Sequence, residues 1–396
     1  MKIGIDIRPL AEAHPTGVGE YTRQIVEHVL AAAPADEFVL FAAGASPRSL
    51  RDLGIAERAG LTLHWLARPN KITSATTALV QQPLLDKRLG KIDVFFSPNF
   101  NFAALSANCP HVVTVHDLSF LLFPEFLTLK RRLWHQAVRA VDVVRAAAHV
   151  ICDSVSTKRD IHVECGFRRE HISVIPLGGG EIAPPSEAEV VAVLAKYKLQ
   201  RPYIISVGTR EPRKNLAALV EAYSLLREKL SEPVALVFVG PAGWKNADFL
   251  QALAASKYRA DIKQLGFVSD RERSALIAGA RVLAMVSSHE GFGLPLVEAM
   301  RSSVPVLTAQ VSALPEVCGS AGMLVDPERT NAIAVALQEL LRDEGLRSAL
   351  IMRGRRQVKK FSWDQTAQAT LQVLQSVAAN TSAPLQGKYL PAVEVV

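Results

Sequence analysis

Cysteine is scarce: Cys109, Cys152, Cys165 and Cys318 are the only four in 396 residues, and none forms a Cys-x-x-Cys pair. That spacing excludes a disulfide framework and a zinc ribbon, and free thiols are expected. Long apolar runs are missing too, since no stretch approaches the roughly 18 consecutive apolar residues of a membrane-spanning helix. The opening Met-Lys-Ile-Gly-Ile-Asp-Ile-Arg alternates like a strand and lacks the apolar centre of a signal peptide, so a cytoplasmic protein is expected. Aromatics make up 6% of the chain and form no stacking platform. Nucleic acid is therefore not an expected partner, although the net charge is +7. No Asp-x-Asp occurs anywhere, so the usual device for bringing a divalent metal to a diphosphate is absent and no metal site is expected.

What is present is globular: 49% apolar and 21% charged residues, in a chain too long for one ordinary core. Strand patterns recur at Lys2–Ile7, Phe38–Phe41, Leu61–Leu66, Ile92–Ser97, Val112–His116, His149–Cys152 and Ile172–Ile175. Helical patterns lie between several of them, as at Tyr21–Ala32 and Leu129–Ala147. A second series runs through Tyr203–Val207, Val234–Val239, Ile262–Gly266, Val282–Val286, Val304–Leu307 and Met323–Val325. Alternation of this kind predicts parallel α/β sheets. Between the series, residues 177–186 hold three Gly and two Pro and read as a hinge. The expectation is two doubly wound, Rossmann-like domains facing a cleft, residues 1–176 and 201–360 with a 177–200 linker. Ligands in such folds bind at the carboxyl ends of the strands.

Those ends collect the unusual residues. After the first strand, Gly17-Val-Gly19 opens a helix and can offer amides to a phosphate. His116 and Asp117 follow the Val112 strand; a lone histidine there reads first as structural. After Val207 comes Gly208-Thr-Arg-Glu-Pro-Arg-Lys-Asn215, which puts Arg210, Arg213 and Lys214 at a helix start, where cations oppose the helix dipole. A bound polyanion would remove that cost. After the strand ending at Val286 comes His-Glu-Gly-Phe-Gly-Leu-Pro-Leu-Val-Glu, with seven residues between Glu290 and Glu298. Gly291 and Gly293 permit a tight turn and Pro295 suits a first helical turn. Cations and amides suit a diphosphate, and carboxylates accept hydrogen bonds from vicinal hydroxyls. The implied ligand is a sugar nucleotide.

These residues resemble the retaining glycosyltransferases of family four, which have the fold called GT-B. The likeness runs through IGIDIRP…TGVGEYT, VTVHDLSF, ISVGTREPRKNLAALVEAY, GFVSD and SSHEGFGLPLVEAM. EPRKN is most similar to bacterial mannosyltransferases of surface-polysaccharide assembly. The resemblance implies that Glu290 bonds hydroxyls of the donor sugar and that Glu298 holds the ribose. Arg210 and Lys214 would bind the diphosphate with Gly17, Gly19 and the amides of Gly291, Phe292, Gly293 and Leu294. Phe267 and Val268 would line the base pocket, and His116 would sit beside the transferred sugar. It implies no cofactor beyond a nucleotide-sugar donor, GDP-mannose first and a UDP- or dTDP-sugar next, and a glycan or lipid-linked glycan acceptor. The 361–374 segment resembles the family's C-terminal crossover helix, about 361–380. Two departures stand out: Leu177-Gly-Gly-Gly180 replaces the usual hinge, and Ser303 stands where Gly is usual.

A nucleotide-sugar 2-epimerase of the same fold and a non-catalytic nucleotide-sugar-binding homologue are the alternatives. A solute-binding protein would need no Arg210/Lys214 cluster. One further pattern concerns location. Lys130, Arg131 and Arg132 stand beside Leu129, Leu133 and Trp134, an amphipathic arrangement that suits weak association with an anionic membrane at its inner face. A solvated helix with Leu129 and Leu133 facing the core is the other reading.

Overall fold

A computed structural model of the chain describes residues 1–11, 17–68, 82, 84–179 and 183–380. Two compact units result. The first is built from Met1–Leu118, Lys130–Gly178 and the segment from Ser362 onward, the second from Ser119–Leu129 and Gly179–Phe361. The sequence placed 119–129 and the helix Glu187–Lys196 elsewhere, in the first domain and the linker.

The first unit carries β1 (Lys2–Asp6), β2 (Glu37–Ala43), β3 (Leu61–Leu66), β4 (Val94–Ser97), β5 (His111–Val115), β6 (His149–Cys152) and β7 (Ile172–Val174). They form one parallel sheet in the order β3-β2-β1-β4-β5-β6-β7. Runs such as Phe38–Ala43 are buried throughout, as a parallel sheet covered on both faces requires. The helix Trp363–Ala379 lies against the helix Gly17–Ala32 of this unit. Tyr21 and Trp363 pack with ring centroids 5.9 Å apart, and the Thr366 hydroxyl donates to the Pro176 carbonyl at 2.7 Å.

The second unit carries β8 (Tyr203–Val207), β9 (Ala235–Val239), β10 (Ile262–Gly266), β11 (Val282–Met285), β12 (Val306–Ala309) and β13 (Gly322–Val325). Their parallel order is β10-β9-β8-β11-β12-β13. Its core joins Tyr223 of the helix Leu216–Arg227 to Phe238 and Phe249, whose rings meet edge to face at 5.0 Å. In both sheets the strand order reverses beside the first strand, between β1 and β4 and between β8 and β11. Such reversals open a crevice at the carboxyl ends of the two strands.

Three local features differ from the sequence reading. The helix expected over Leu129–Ala147 is two, Leu129–Val138 and Ala140–Ala146, broken where Arg139 turns left-handed at φ 51°. Leu129, Leu133 and Trp134 are 72%, 56% and 47% exposed, so the apolar stripe of that first helix is not core. In the glycine run, Gly180 lies outside the described residues, while Gly178 and Gly179 are closely packed. A Cβ on Gly178 would overlap the Trp363 ring and backbone, and one on Gly179 would overlap the Val297 side chain. Ser303 takes φ 58°, a conformation that suits the glycine it replaces.

Candidate active site

Two loops build the centre of the second unit, one after β8 and one after β11, the strands that flank the reversal. The first leaves β8 through Gly208 at φ 142° and closes a short turn at Pro212–Lys214 before the helix Leu216–Arg227. A Cβ on Gly208 would come within 3.1 Å of Lys214 Cε, so the missing side chain lets the lysine stem lie across the backbone. The second loop is tied to the first where Ser288 N–H donates to the Arg213 carbonyl at 2.8 Å. Glu290 N–H donates to Ser312 Oγ at 2.8 Å.

Glu290 is buried and its carboxylate lies between two cations. Lys214 Nζ donates to Oε1 at 2.6 Å and Arg213 Nη1 to Oε2 at 2.6 Å. Burial by itself would push the carboxyl up; Arg213 and Lys214 outweigh it and hold it at about 2. Arg213 is anchored further, to the His289 carbonyl at 2.8 Å and to Glu211 Oε1 at 2.9 Å. Arg210 lies earlier in the same loop. Its backbone bridges to the loop after β9, through its N–H to the Pro241 carbonyl and its carbonyl to Gly243 N–H. The cation that meets Glu290 beside Lys214 is Arg213. The sequence showed Arg213 at this turn but gave no sign that it would turn toward the carboxylate.

After Glu290, Gly291 and Phe292 are buried, Phe292 against Phe361 with centroids 5.5 Å apart. Of the two glycines, Gly293 is the one with positive φ, 106°, and it caps the helix Leu294–Arg301. The helix thus starts at Leu294, and Glu298 sits on its second turn. Glu298 Oε1 accepts from Arg273 Nη2 at 2.9 Å. Arg273 belongs to the helix Asp270–Ala278, which follows β10 and the Phe267-Val268 loop. Phe267 is exposed and Val268 buried, so of the pair only Phe267 offers a ring face to solvent.

In the first unit, Gly17 and Gly19 form the first turn of the helix Gly17–Ala32, Gly17 exposed and Gly19 buried. His116 stands at the carboxyl end of β5, with Tyr21 edge-on at 4.5 Å. Its Nδ1 lies 2.7 Å from Asp153 Oδ2 and its Nε2 3.0 Å from the Pro98 carbonyl, at the ends of β6 and β4. The Pro98 carbonyl accepts from Nε2, and Asp153 faces Nδ1. Burial pulls its titration down, but Asp153 and the Pro98 carbonyl outweigh that and raise it. Asp153 was not among the residues singled out from sequence; an acid directly after a strand was the available signal. Among the described residues, no three His, Cys, Asp or Glu side chains gather as a metal set.

A cation-bracketed carboxylate at a sheet reversal fits an anionic, hydroxyl-rich ligand, and known proteins supply the rest. Residues 15–178 match the model for "Glycosyltransferase Family 4" and residues 195–357 that for "Glycosyl transferases group 1". The O-antigen chain mannosyltransferase B of Escherichia coli is 30% identical over 369 residues, 90% of this chain and 95% of that one. The chain is a family-four glycosyltransferase. An MMP alpha-(1->4)-mannosyltransferase from Mycolicibacterium hassiacum is 29% identical over 61% of the chain and 57% of its own length. In fold the glycosyltransferase matches Anabaena HepE, solved with UDP and glucose, at TM-score 0.72 and 20% identity over 95% of this chain and 100% of that one. WaaG, described as a glycosyltransferase of lipopolysaccharide biosynthesis, matches at TM-score 0.70 and 17% identity over 94% and 99%. The glycosyltransferase is therefore of GT-B fold, two parallel sheets with flanking helices.

Proposed function

We propose that this glycosyltransferase moves mannose from GDP-mannose to a glycan or lipid-linked glycan acceptor, with retention at the anomeric carbon and without a metal ion. The observation that carries the reading is the Glu290 carboxylate between Lys214 and Arg213 at the β8/β11 reversal. It supplies cations for a departing diphosphate and an acceptor for sugar hydroxyls in one place. The mannose assignment is supported by the name of the Escherichia coli relative. In this reading Glu298 holds the ribose, the amides of Gly291–Leu294 and of the Gly17-Val-Gly19 turn assist the phosphates, and Phe267 and Val268 border the base. His116, held by Asp153 and the Pro98 carbonyl, sits beside the transferred sugar. The exposed Leu129, Leu133 and Trp134, beside exposed Lys130 and Arg131 and half-buried Arg132, suit a weak hold on an anionic membrane that carries a lipid-linked acceptor. No helix among the described residues is long and apolar enough to cross a membrane.

The test is a thermal-shift panel of GDP-, UDP-, ADP- and dTDP-sugars followed by turnover with the best binder. A ligand at 100 times its Kd adds about 2.7 kcal/mol of stability, so the preferred donor stands out. GDP-mannose is expected to give the largest shift, and turnover is expected to survive EDTA. Stabilisation by UDP-sugars alone would replace the donor, and donor-only isomerisation would point to an epimerase.

A further inference from the structure

The segment Ser119–Leu129 follows β5 in the chain but belongs to the second unit. Within that unit it is gripped by its backbone. Trp244 Nε1 donates to the Phe126 carbonyl at 2.8 Å, and Lys245 Nζ donates to the Glu125 carbonyl at 2.7 Å. Both donors sit on the loop after β9, and that loop is built under constraint. Lys245 takes φ 48°, and a Cβ on Gly243 would come within 2.5 Å of the Arg210 carbonyl oxygen. Non-glycine residues held left-handed cluster at ligand sites. The grip falls on carbonyls, so it leaves the segment's large apolar side chains for other contacts. Phe120, Leu121, Leu122, Phe123 and Phe126 are all half-buried, and neither of the two short helices that carry them buries a residue. Apolar side chains left uncovered as a cluster mark a binding surface, whereas single ones do not.

Phe123 and Phe126 stack with centroids 5.3 Å apart and planes 12° from parallel. Phe123 also meets the His289 ring at 5.4 Å, and the His289 carbonyl holds Arg213, a cation on Glu290. The two rings therefore stand against the residue before Glu290. We propose that the Phe123–Phe126 pair is a stacking platform for the acceptor, and that the sugar ring which receives the transferred hexose lies on it. The face of an aromatic ring is negative, and the C–H face of a pyranose is its apolar, weakly positive side, with the hydroxyls around the rim. Stacking fixes the plane of the acceptor sugar and leaves its hydroxyls free to meet the donor. Trp244 is the positioning residue, because its indole N–H bonds the backbone of Phe126 and sets the tilt of that ring.

The inference rests on a sugar acceptor at the proposed site, not on the identity of the donor, and the experiment separates the two. Calorimetry of GDP and UDP on the wild type tests the donor reading, which fails if neither binds. The platform is tested without donor, by saturation-transfer NMR with methyl α-D-mannopyranoside, methyl α-D-glucopyranoside and methyl α-D-galactopyranoside. Irradiated aromatic protons are expected to pass magnetisation to the ring C–H protons of one of these glycosides, and Phe126→Ala is expected to lose the transfer. A wild type that shows none, or a variant that keeps it, would overturn the platform. In turnover with the same glycoside, Phe126→Ala should raise acceptor KM about tenfold, as the loss of one buried ring face implies, with donor KM changed less than about threefold. Phe126→Tyr should stay near wild type and Phe126→Leu should not. Equal recovery by Leu and Tyr would show apolar packing alone and overturn the stacking. A loss confined to lipid-linked acceptors would assign the rings to the lipid and overturn it as well. Trp244→Phe, which keeps a ring and loses the donor, should raise acceptor KM and leave donor KM and kcat near wild type; a change in Tm alone would remove the positioning role. Should Phe126→Ala not fold, the comparison of Tyr with Leu and the wild-type NMR decide.

Discussion

At the residue scale the active centre is a matter of which cation faces which carboxylate. Lys214→Ala removes a charge that the departing diphosphate needs, and kcat/KM is expected to fall by about 2–4 kcal/mol of transition-state stabilisation. Steady-state kinetics with the preferred donor checks it, and near-wild-type turnover would remove Lys214 from the centre. Glu290 and Glu298 were legible in the sequence because two acids either side of a Gly-rich helix start are unusual for a merely structural helix end. The contact of Arg213 with Glu290 was not. Sequence position told only that three basic residues crowd one turn; which of them points at Glu290 follows from the 3₁₀ geometry of Pro212–Lys214 and from the Ser288–Arg213 backbone bond across two loops. Asp153 was hidden for a similar reason, since its pairing with His116 is made by neighbouring strands 37 residues apart in sequence.

At the element scale inner strands such as β9, β11 and β12 could be read off as apolar runs, because a strand buried on both faces needs a nearly uninterrupted apolar sequence. Helix boundaries were less legible: the break at Arg139 has no Gly or Pro to announce it. The close packing at the junction glycines was not legible either. Gly178→Ala is expected to destabilise the first unit by about 1–3 kcal/mol, because its Cβ would displace Trp363 from its place beside Tyr21. Ser303→Gly should act oppositely, gaining about 0.5–1 kcal/mol as left-handed strain, offset in part by unfolded-chain entropy, is relieved. Urea denaturation midpoints read both changes, and a stabilised Gly178→Ala would contradict the clearance argument.

At the scale of the whole molecule, the proposed hold on a membrane rests on surface, not on core. Changing Lys130, Arg131 and Arg132 together to Glu is expected to abolish binding to anionic vesicles at low salt and to slow transfer to a lipid-linked acceptor, while donor affinity and transfer to a soluble acceptor stay near wild type. Vesicle co-sedimentation measures it, and unchanged binding would dismiss the patch. The way the chain is shared between the units has a consequence for its synthesis. Trp363 and Thr366, which pack on Tyr21 and bond Pro176, are translated after the whole of the second unit. The half of the protein that leaves the ribosome first is therefore the half that finishes folding last. Until about residue 379 has emerged, it waits with the Tyr21 face of its first helix uncovered, and a nascent chain stalled earlier should be cut by protease there and not in the sheet around β8.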